Sequence, residues 1–238
     1  LSLHTSNSRT GIAPRGADYL GEEKLIVSLG LKWVYSYGVQ AEFDRHIRGR
    51  GFTGKVHDAE WDELFRVWAA NWLGTLSDSG FTPDQYLVPI ADEVHDEGAA
   101  DVLRTAQMLK AIAPTVRTYQ DPATWTSFET VKMLAPVTDL WIPWEPRLKG
   151  RESSSAELAF YQESPQPFCP YLCGVNTQVL PVLSYYRLRG LRSWGVGADG
   201  FCLWSFNSWR GNDWAEFDER EKSGDNCLFQ HGDNGPIA

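Results

Sequence analysis

Gln85-Tyr86-Leu87-Val88-Pro89-Ile90-Ala91-Asp92-Glu93 is the stretch that decides the fold. Its apolar part has the length of a buried strand, and an adjacent carboxylate pair closes it where strand meets loop. A helical pattern follows at once. Val102, Leu103, Ala106, Leu109 and Ile112 recur at helical spacing until Pro114 ends the run. In a strand-then-helix repeat, the C-terminal corner of the strand is where catalytic groups collect. Two neighbouring acids cannot ionise independently, so one can keep its proton while the other stays charged. Cleavage of a glycosidic bond uses that division of labour.

The same alternation extends in both directions. Upstream, Asp18 can cap a helix that runs through Leu29, and Leu31 to Tyr37 reads as a strand. A Gly- and Arg-rich loop is expected from Gly38 to His57, with Asp44 to Arg50 as its solvated charged part. Asp58 then caps a strongly periodic helix. Trp61, Leu64, Phe65, Trp68 and Trp72 fall at i, i+3, i+4, i+7 and i+11, a stripe expected in the core. Downstream, Thr115 to Tyr119 is a strand with Gln120-Asp121-Pro122 at its exit, and Trp125 to Leu134 is a helix. Thr138 to Trp144 is the next strand, ending near Glu145, and Phe168 to Gly174 is short and extended. Val179 to Trp194 is expected as a helix with Leu180, Leu183, Leu188 and Leu191 inward, and Gly200 to Asn207 as the last strand.

Strands apolar on both faces that alternate with helices argue a parallel sheet covered on both sides. Open sheets and closed barrels both place ligands at the C-terminal strand ends. The chain contains neither G-x-G-x-x-G after the first strand nor G-x-x-x-x-G-K, which removes the usual nucleotide-binding reason for an open sheet. The expectation is therefore an α/β fold of the (β/α)8 TIM-barrel type, one domain over residues 1–238, incomplete at the N-terminus and after the last strand.

Composition narrows the function. The chain has 238 residues, 42% hydrophobic and 22% charged, with a net charge of -9 and no basic run. A nucleic-acid partner is not expected, because phosphate neutralisation needs clustered Lys and Arg. No apolar stretch approaches the ~20 residues of a membrane span. The sequence opens at Leu1-Ser2-Leu3-His4 without Met, so an upstream segment is expected to be missing. Eleven Trp are many for this length; most should fill the core, and some suit platforms for a sugar ring. Cys169, Cys173, Cys202 and Cys227 form no C-x-x-C pair and are expected as buried thiols, with a disulfide as the alternative. No metal constellation and no cofactor motif is present, and the sequence does not fix an oligomeric state.

Three further motifs follow the carboxylate pair in order. Tyr171-Leu172-Cys173-Gly174 is an extended Tyr-x-Cys-Gly segment, Gly200-Phe201 leads into Trp204, Phe206, Asn207 and Trp209, and Gly224-Asp225-Asn226-Cys227-Leu228 is a turn ahead of Gly235-Pro236-Ile237. Together with Asp92-Glu93 this set resembles the catalytic barrel of glycoside hydrolase family 123 and its DUF4091 relatives. The resemblance covers roughly residues 80–238, and the earlier residues match only as generic barrel units. The family often has Tyr before the pair and Pro after it, where this chain has Ile90-Ala91 and Val94.

The resemblance implies retaining hydrolysis of a terminal β-linked N-acetylhexosamine, of the N-acetylgalactosamine type, in which the substrate's own 2-acetamido oxygen attacks the anomeric carbon. Substrate-assisted enzymes are exceptions to the two-carboxylate rule. Glu93 would be the general acid and then the base, a role suited by a raised pKa. Asp92 would stay ionised, orient the acetamido N–H and stabilise the positive intermediate. Adjacent strand residues point to opposite faces, so the backbone at Asp92 or Glu93 must be irregular for both to reach one substrate. Tyr119, Trp141, Trp144, Glu145, Tyr171, Trp204 and Asn207 are the candidate substrate-binding residues, while His95 and Glu97 are expected to be loop residues. Family analogy implies a secreted or periplasmic location. Three alternatives stay open. Glu145 or Asp121 could serve as a covalent nucleophile beside Glu93, at ~5–5.5 Å for retention or ~6.5–9.5 Å for inversion. The chain could also be a carbohydrate-binding barrel without turnover, or a partial barrel inactive alone.

Overall fold

The computed structural model describes residues 38–78, 80–83, 86–149, 154–172, 188–203, 230–232 and 235–237. They fall into two units, Leu1–Leu140 and Trp141–Ala238.

In the first unit, α1 (Val39–Arg48) occupies part of the stretch expected to be a loop. Val39, Phe43 and Ile47 recur every four residues and are buried. The charged residues between them face solvent, where Arg45 pairs with Glu42 and Arg48 with Asp44. The Gly- and Arg-rich composition hid this narrow apolar stripe. Helix α2 (Ala59–Asp78) starts at Asp58, as the sequence predicts. The Asp58 carboxylate accepts the backbone N–H of Trp61 at 2.8 Å and of Lys55 at 3.0 Å. Trp61 and Phe65 are fully buried and stack at 5.3 Å, with the Phe43 ring edge-on to Trp61 at 4.9 Å. The buried row continues through Ala69, Leu73 and Leu76, not through Trp68 and Trp72, which are half-buried and stack on each other. Leu64 is exposed. The core therefore lies on a face rotated from the expected stripe.

Strand β1 (Leu87–Pro89), helix α3 (Ala99–Ile112), strand β2 (Arg117–Gln120), helix α4 (Phe128–Leu134) and strand β3 (Leu140–Trp141) follow in alternation. Strand β1 pairs in parallel with β2, placing Val88 beside Thr118 and Pro89 beside Tyr119, and the sheet order is β1-β2-β3. Helix α3 buries Ala99, Val102, Thr105, Ala106 and Leu109. Its Arg104 reaches Asp62 of α2, which also meets His57 at 2.9 Å. Burial alone would raise the Asp62 pKa, but the hydrogen bonds from His57 and Arg104 outweigh it and hold the carboxyl below its ordinary range. Ser127 caps α4, its hydroxyl accepting the Thr130 N–H at 3.1 Å. The Asp139 carboxylate accepts the Thr118 N–H at 2.7 Å and faces the Lys110 ammonium at 2.5 Å, which fixes the exit of α4 against β2.

In the second unit, Trp141 bridges Phe168 and Trp144 bridges Tyr171, both in parallel. Helix α5 (Ser154–Glu163) packs on the first of these bridges: the Trp141 ring lies 5.5 Å from that of Tyr161 and 6.0 Å from that of Phe160. Strand β4 (Tyr171–Leu172) pairs in parallel with β5 (Cys202–Leu203). Between them lies α6 (Leu188–Gly195), whose leucines were expected inward. Instead Leu188, Leu191 and Trp194 are exposed, and Arg189 and Ser193 are buried. Arg189 reaches Glu145 at 3.7 Å and lies over the Phe201 ring, so a charged contact and not the leucine spacing sets the inward face. A short antiparallel hairpin, β6 (Gln230–Gly232) and β7 (Gly235–Ile237), ends the described chain.

The (β/α)8 TIM-type barrel is overturned by this topology. Among the described residues the parallel strands make a three-stranded sheet and a separate two-stranded pair, each strand two to four residues long, and the final pair is antiparallel. Alternating βα units with strands apolar on both faces specify local parallel pairing. They do not encode closure, which depends on strand number, tilt and stagger. The helix expected from Asp18, the strand over 31–37, residues 173–187 of the later pattern, and the motifs over 204–229 lie outside the described residues.

The second unit is tied by a buried ion pair. Arg147 donates to Glu157 at 2.6 Å, with both side chains almost fully buried, and the Tyr161 hydroxyl donates to the same carboxylate at 2.8 Å. Removing one member leaves a buried charge alone. Glu157→Ala is expected to cost about 3–5 kcal/mol in urea unfolding, and Arg147→Met combined with Glu157→Leu to recover most of that loss. A double variant as unstable as the single one would contradict this assignment.

Candidate active site

The corner after β1 is built from three segments of the first unit. Strand β1 ends at Pro89, Ile90 is fully buried, and the chain then bends through residues 90–93. Glu93 has φ 44°, a left-handed conformation that a non-glycine residue adopts only under constraint. Two hydrogen bonds supply the constraint. The Glu93 N–H donates to Asp121 Oδ1 at 3.1 Å, and its carbonyl accepts the indole N–H of Trp125 at 2.6 Å. One residue on, the Val94 carbonyl accepts the Thr126 hydroxyl at 2.6 Å, and Asp96 Oδ1 accepts both the Ser127 N–H at 2.8 Å and the Thr130 hydroxyl at 2.7 Å. The loop after β1 is thus stitched to the loop after β2. The irregular backbone required for both acids to serve one site is present at Glu93.

The third segment is the start of α1. Gly38 has φ 96°, and a Cβ there would lie 2.3 Å from the Ala91 Cα, so only glycine lets the chain pass so close to the carboxylate pair. Beside it the Gln40 N–H donates to the Ile90 carbonyl at 3.1 Å.

Asp121 governs the electrostatics. Burial pushes its carboxyl well above the ordinary range, and the neighbouring Asp92 charge pushes it further. The hydrogen bond from the Glu93 N–H opposes this, while the side-chain bond to Asp92 and the Glu93 charge add to it. Together these effects favour the neutral form of Asp121, which shares a side-chain hydrogen bond with Asp92. Sequence reasoning coupled Asp92 to Glu93; the structure couples Asp92 to Asp121, with Glu93 joined to the pair through its backbone. The register carried the signal: Pro89 lies beside Tyr119, which sets Asp121 at the same level as the end of β1. A carboxyl whose burial favours the neutral form is poorly suited to the nucleophile role left open for Asp121.

The other expected residues divide between the two units. Tyr119 is buried on β2, two residues before Asp121. In the second unit Trp141 is fully buried among aromatic rings, Tyr171 is buried on β4, and Trp144 is half-buried. Glu145 pairs with Lys149 at 2.7 Å and with Arg189 at 3.7 Å. Trp204 and Asn207 lie outside the described residues. Cys169 and Cys202 are free thiols that hydrogen-bond each other, which lowers the Cys169 pKa and raises that of Cys202. Among the described residues no helix is long and apolar enough to cross a membrane, and no three His, Cys, Asp or Glu side chains converge as a metal site.

Sequence reasoning missed Trp125 as an anchor, having placed it inside a helix, and missed Gln120. The Gln120 side chain is 1% exposed, and neither its Oε1 nor its Nε2 has a hydrogen-bond partner among the described residues. No protein-family model matches the chain, and no characterised protein shows significant sequence similarity to it.

Two outcomes follow for stability. A carboxyl whose folded pKa is raised favours the folded state fully below its unfolded value near ~3.9, and that contribution is lost as pH climbs toward the folded value. Asp121→Asn should therefore flatten the fall in melting temperature above about pH 4 and exceed wild type at about pH 8; identical pH profiles would mean that Asp121 does not hold the proton. Gln120→Leu should raise the urea midpoint, since an unsatisfied buried polar group costs about 1–3 kcal/mol. A destabilised leucine variant would mean that the amide is satisfied.

Proposed function

We propose that this protein is a glycoside hydrolase that removes a terminal β-linked N-acetylhexosamine, of the N-acetylgalactosamine type, by substrate-assisted retention. The observation that carries the reading is the buried Asp121 carboxyl set against Asp92, immediately beside a Glu93 clamped in a left-handed turn. Substrate assistance needs an ionised group that accepts the acetamido N–H and faces the positive charge of the cyclised intermediate. Asp92 stands half-buried against Asp121, whose burial favours its neutral form, so in this reading Asp92 is the member of the pair that carries the charge. Glu93 is then free to act as general acid on the leaving oxygen, and as base on the incoming water. The acetamido oxygen attacks the anomeric carbon as the C–O bond breaks, and water later reopens the ring with retained configuration. The order of motifs that resembles family 123 adds support, as does the position of all three acids at the ends of neighbouring parallel strands.

The test is release of p-nitrophenol from its N-acetyl-β-galactosaminide, compared with the β-galactoside that lacks the acetamido group. Wild type should act on the first and not on the second. Glu93→Gln should lose about 10²–10⁴-fold in kcat, with a larger loss for sugar leaving groups than for p-nitrophenol, since the better leaving group needs less protonation. Asp92→Asn should lose activity on both kinds of leaving group alike. Equal turnover of the two glycosides, or full activity in both variants, would sink the proposal.

A further inference from the structure

Trp125 is unusual for its surroundings. Its indole N–H is bound to the Glu93 carbonyl at 2.6 Å, yet 47% of the residue stays exposed. The His95 ring stacks on it with centroids 5.2 Å apart and planes 13° from parallel. One edge is therefore fixed by a hydrogen bond and one face is backed by an imidazole. The indole is held in a single plane beside the residue read as the general acid. Burial falls steadily outward from this corner: Asp121 is buried, Asp92 and Glu93 are half-buried, and His95 and Trp125 are exposed. A sugar removed from a chain end enters deepest, so the ring beyond the scissile oxygen lies on the outer side.

We propose that Trp125, backed by His95, is the platform on which the leaving-group sugar stacks. The C–H bonds on one face of a pyranose meet the negative face of the indole, and the fixed plane means that little ordering is required when the sugar arrives. The occupant's identity as a leaving group rests on the glycosidase reading; the platform itself rests on the geometry. Trp125 also positions Glu93 through its N–H, so the test separates stacking from anchoring.

Kinetics are compared on the methyl β-glycoside of N-acetylgalactosamine and on a disaccharide of β-linked N-acetylgalactosamine on galactose. Trp125→Ala should lower kcat on both, because the anchor to Glu93 is lost, and should raise KM about tenfold for the disaccharide only. Trp125→Phe should restore the disaccharide KM without restoring kcat. If wild type cleaves both substrates and the alanine variant shifts both KM values equally, the platform is overturned while the glycosidase reading stands. If wild type cleaves neither, titration calorimetry with the disaccharide decides. Binding about tenfold weaker in Trp125→Ala would keep the platform and remove the glycosidase reading. Absent binding, or equal binding in both proteins, would remove both.

Discussion

Burial of one carboxyl, Asp121, is the constraint on which the corner of the first unit depends. A charged carboxylate in that position carries a desolvation cost, which pushes the Asp121 pKa up. The same side chain hydrogen-bonds Asp92 and accepts the Glu93 N–H on Oδ1. A single buried group thus touches the side chain of one acid and the backbone of the next. Because β2 delivers it from the adjacent strand, the arrangement exists only when the β1–β2 register is correct.

That register is fixed from outside the corner. Asp139 holds the start of β2 through the Thr118 N–H and pairs with Lys110 of α3. Gly38 presses the start of α1 against Ala91, while Thr126 and Asp96 tie the two loops together. These contacts join residues distant in sequence, and one of them, from Thr126 to the Val94 carbonyl, is buried at the edge of the apolar core. The core of α1, α2 and α3 provides the rigid backing, and the polar stitches place the loop residues on it.

The parts legible in the sequence were those with short-range signals. The Asp58 cap, the strand leading to Asp92, the helix ended by Pro114 and the parallel pairing each rest on a few adjacent residues, and each is present. Failures came where tertiary contacts override local pattern. The inward face of α6 is set by Arg189 reaching Glu145, which leucine spacing cannot reveal. The aromatic stripe of α2 turned because Trp61 and Phe65 find Phe43 from a helix that composition disguised as a loop. Closure into a barrel was inferred from alternation, although alternation fixes neighbours and not the number of strands. At the site, the two acids were readable as a pair, but their true coupling partner lies on the next strand, where only register can bring it.

Unfavourable features gather at this one corner. Glu93 sits in a left-handed conformation that costs about 1–3 kcal/mol. Asp121 is buried as a titratable group, and Gln120, beside it in the chain, buries an amide that has no hydrogen-bond partner among the described residues. Other buried polar groups of the same unit have recognisable partners: Asp62 meets His57 and Arg104, and Thr118 meets Val137 and Asp139. A chain selected for stability alone would replace these three residues with glycine, asparagine and leucine at little structural expense. His57 also adopts a left-handed φ, of 65°, elsewhere in the unit, but among the described residues only the corner joins such a turn to a buried carboxyl whose pKa is raised, and local rules that fail together are expected where function sets the residues. What the corner brings together is a buried carboxyl with a raised pKa at Asp121, a second carboxyl beside it at Asp92, and a Glu93 held in a left-handed turn.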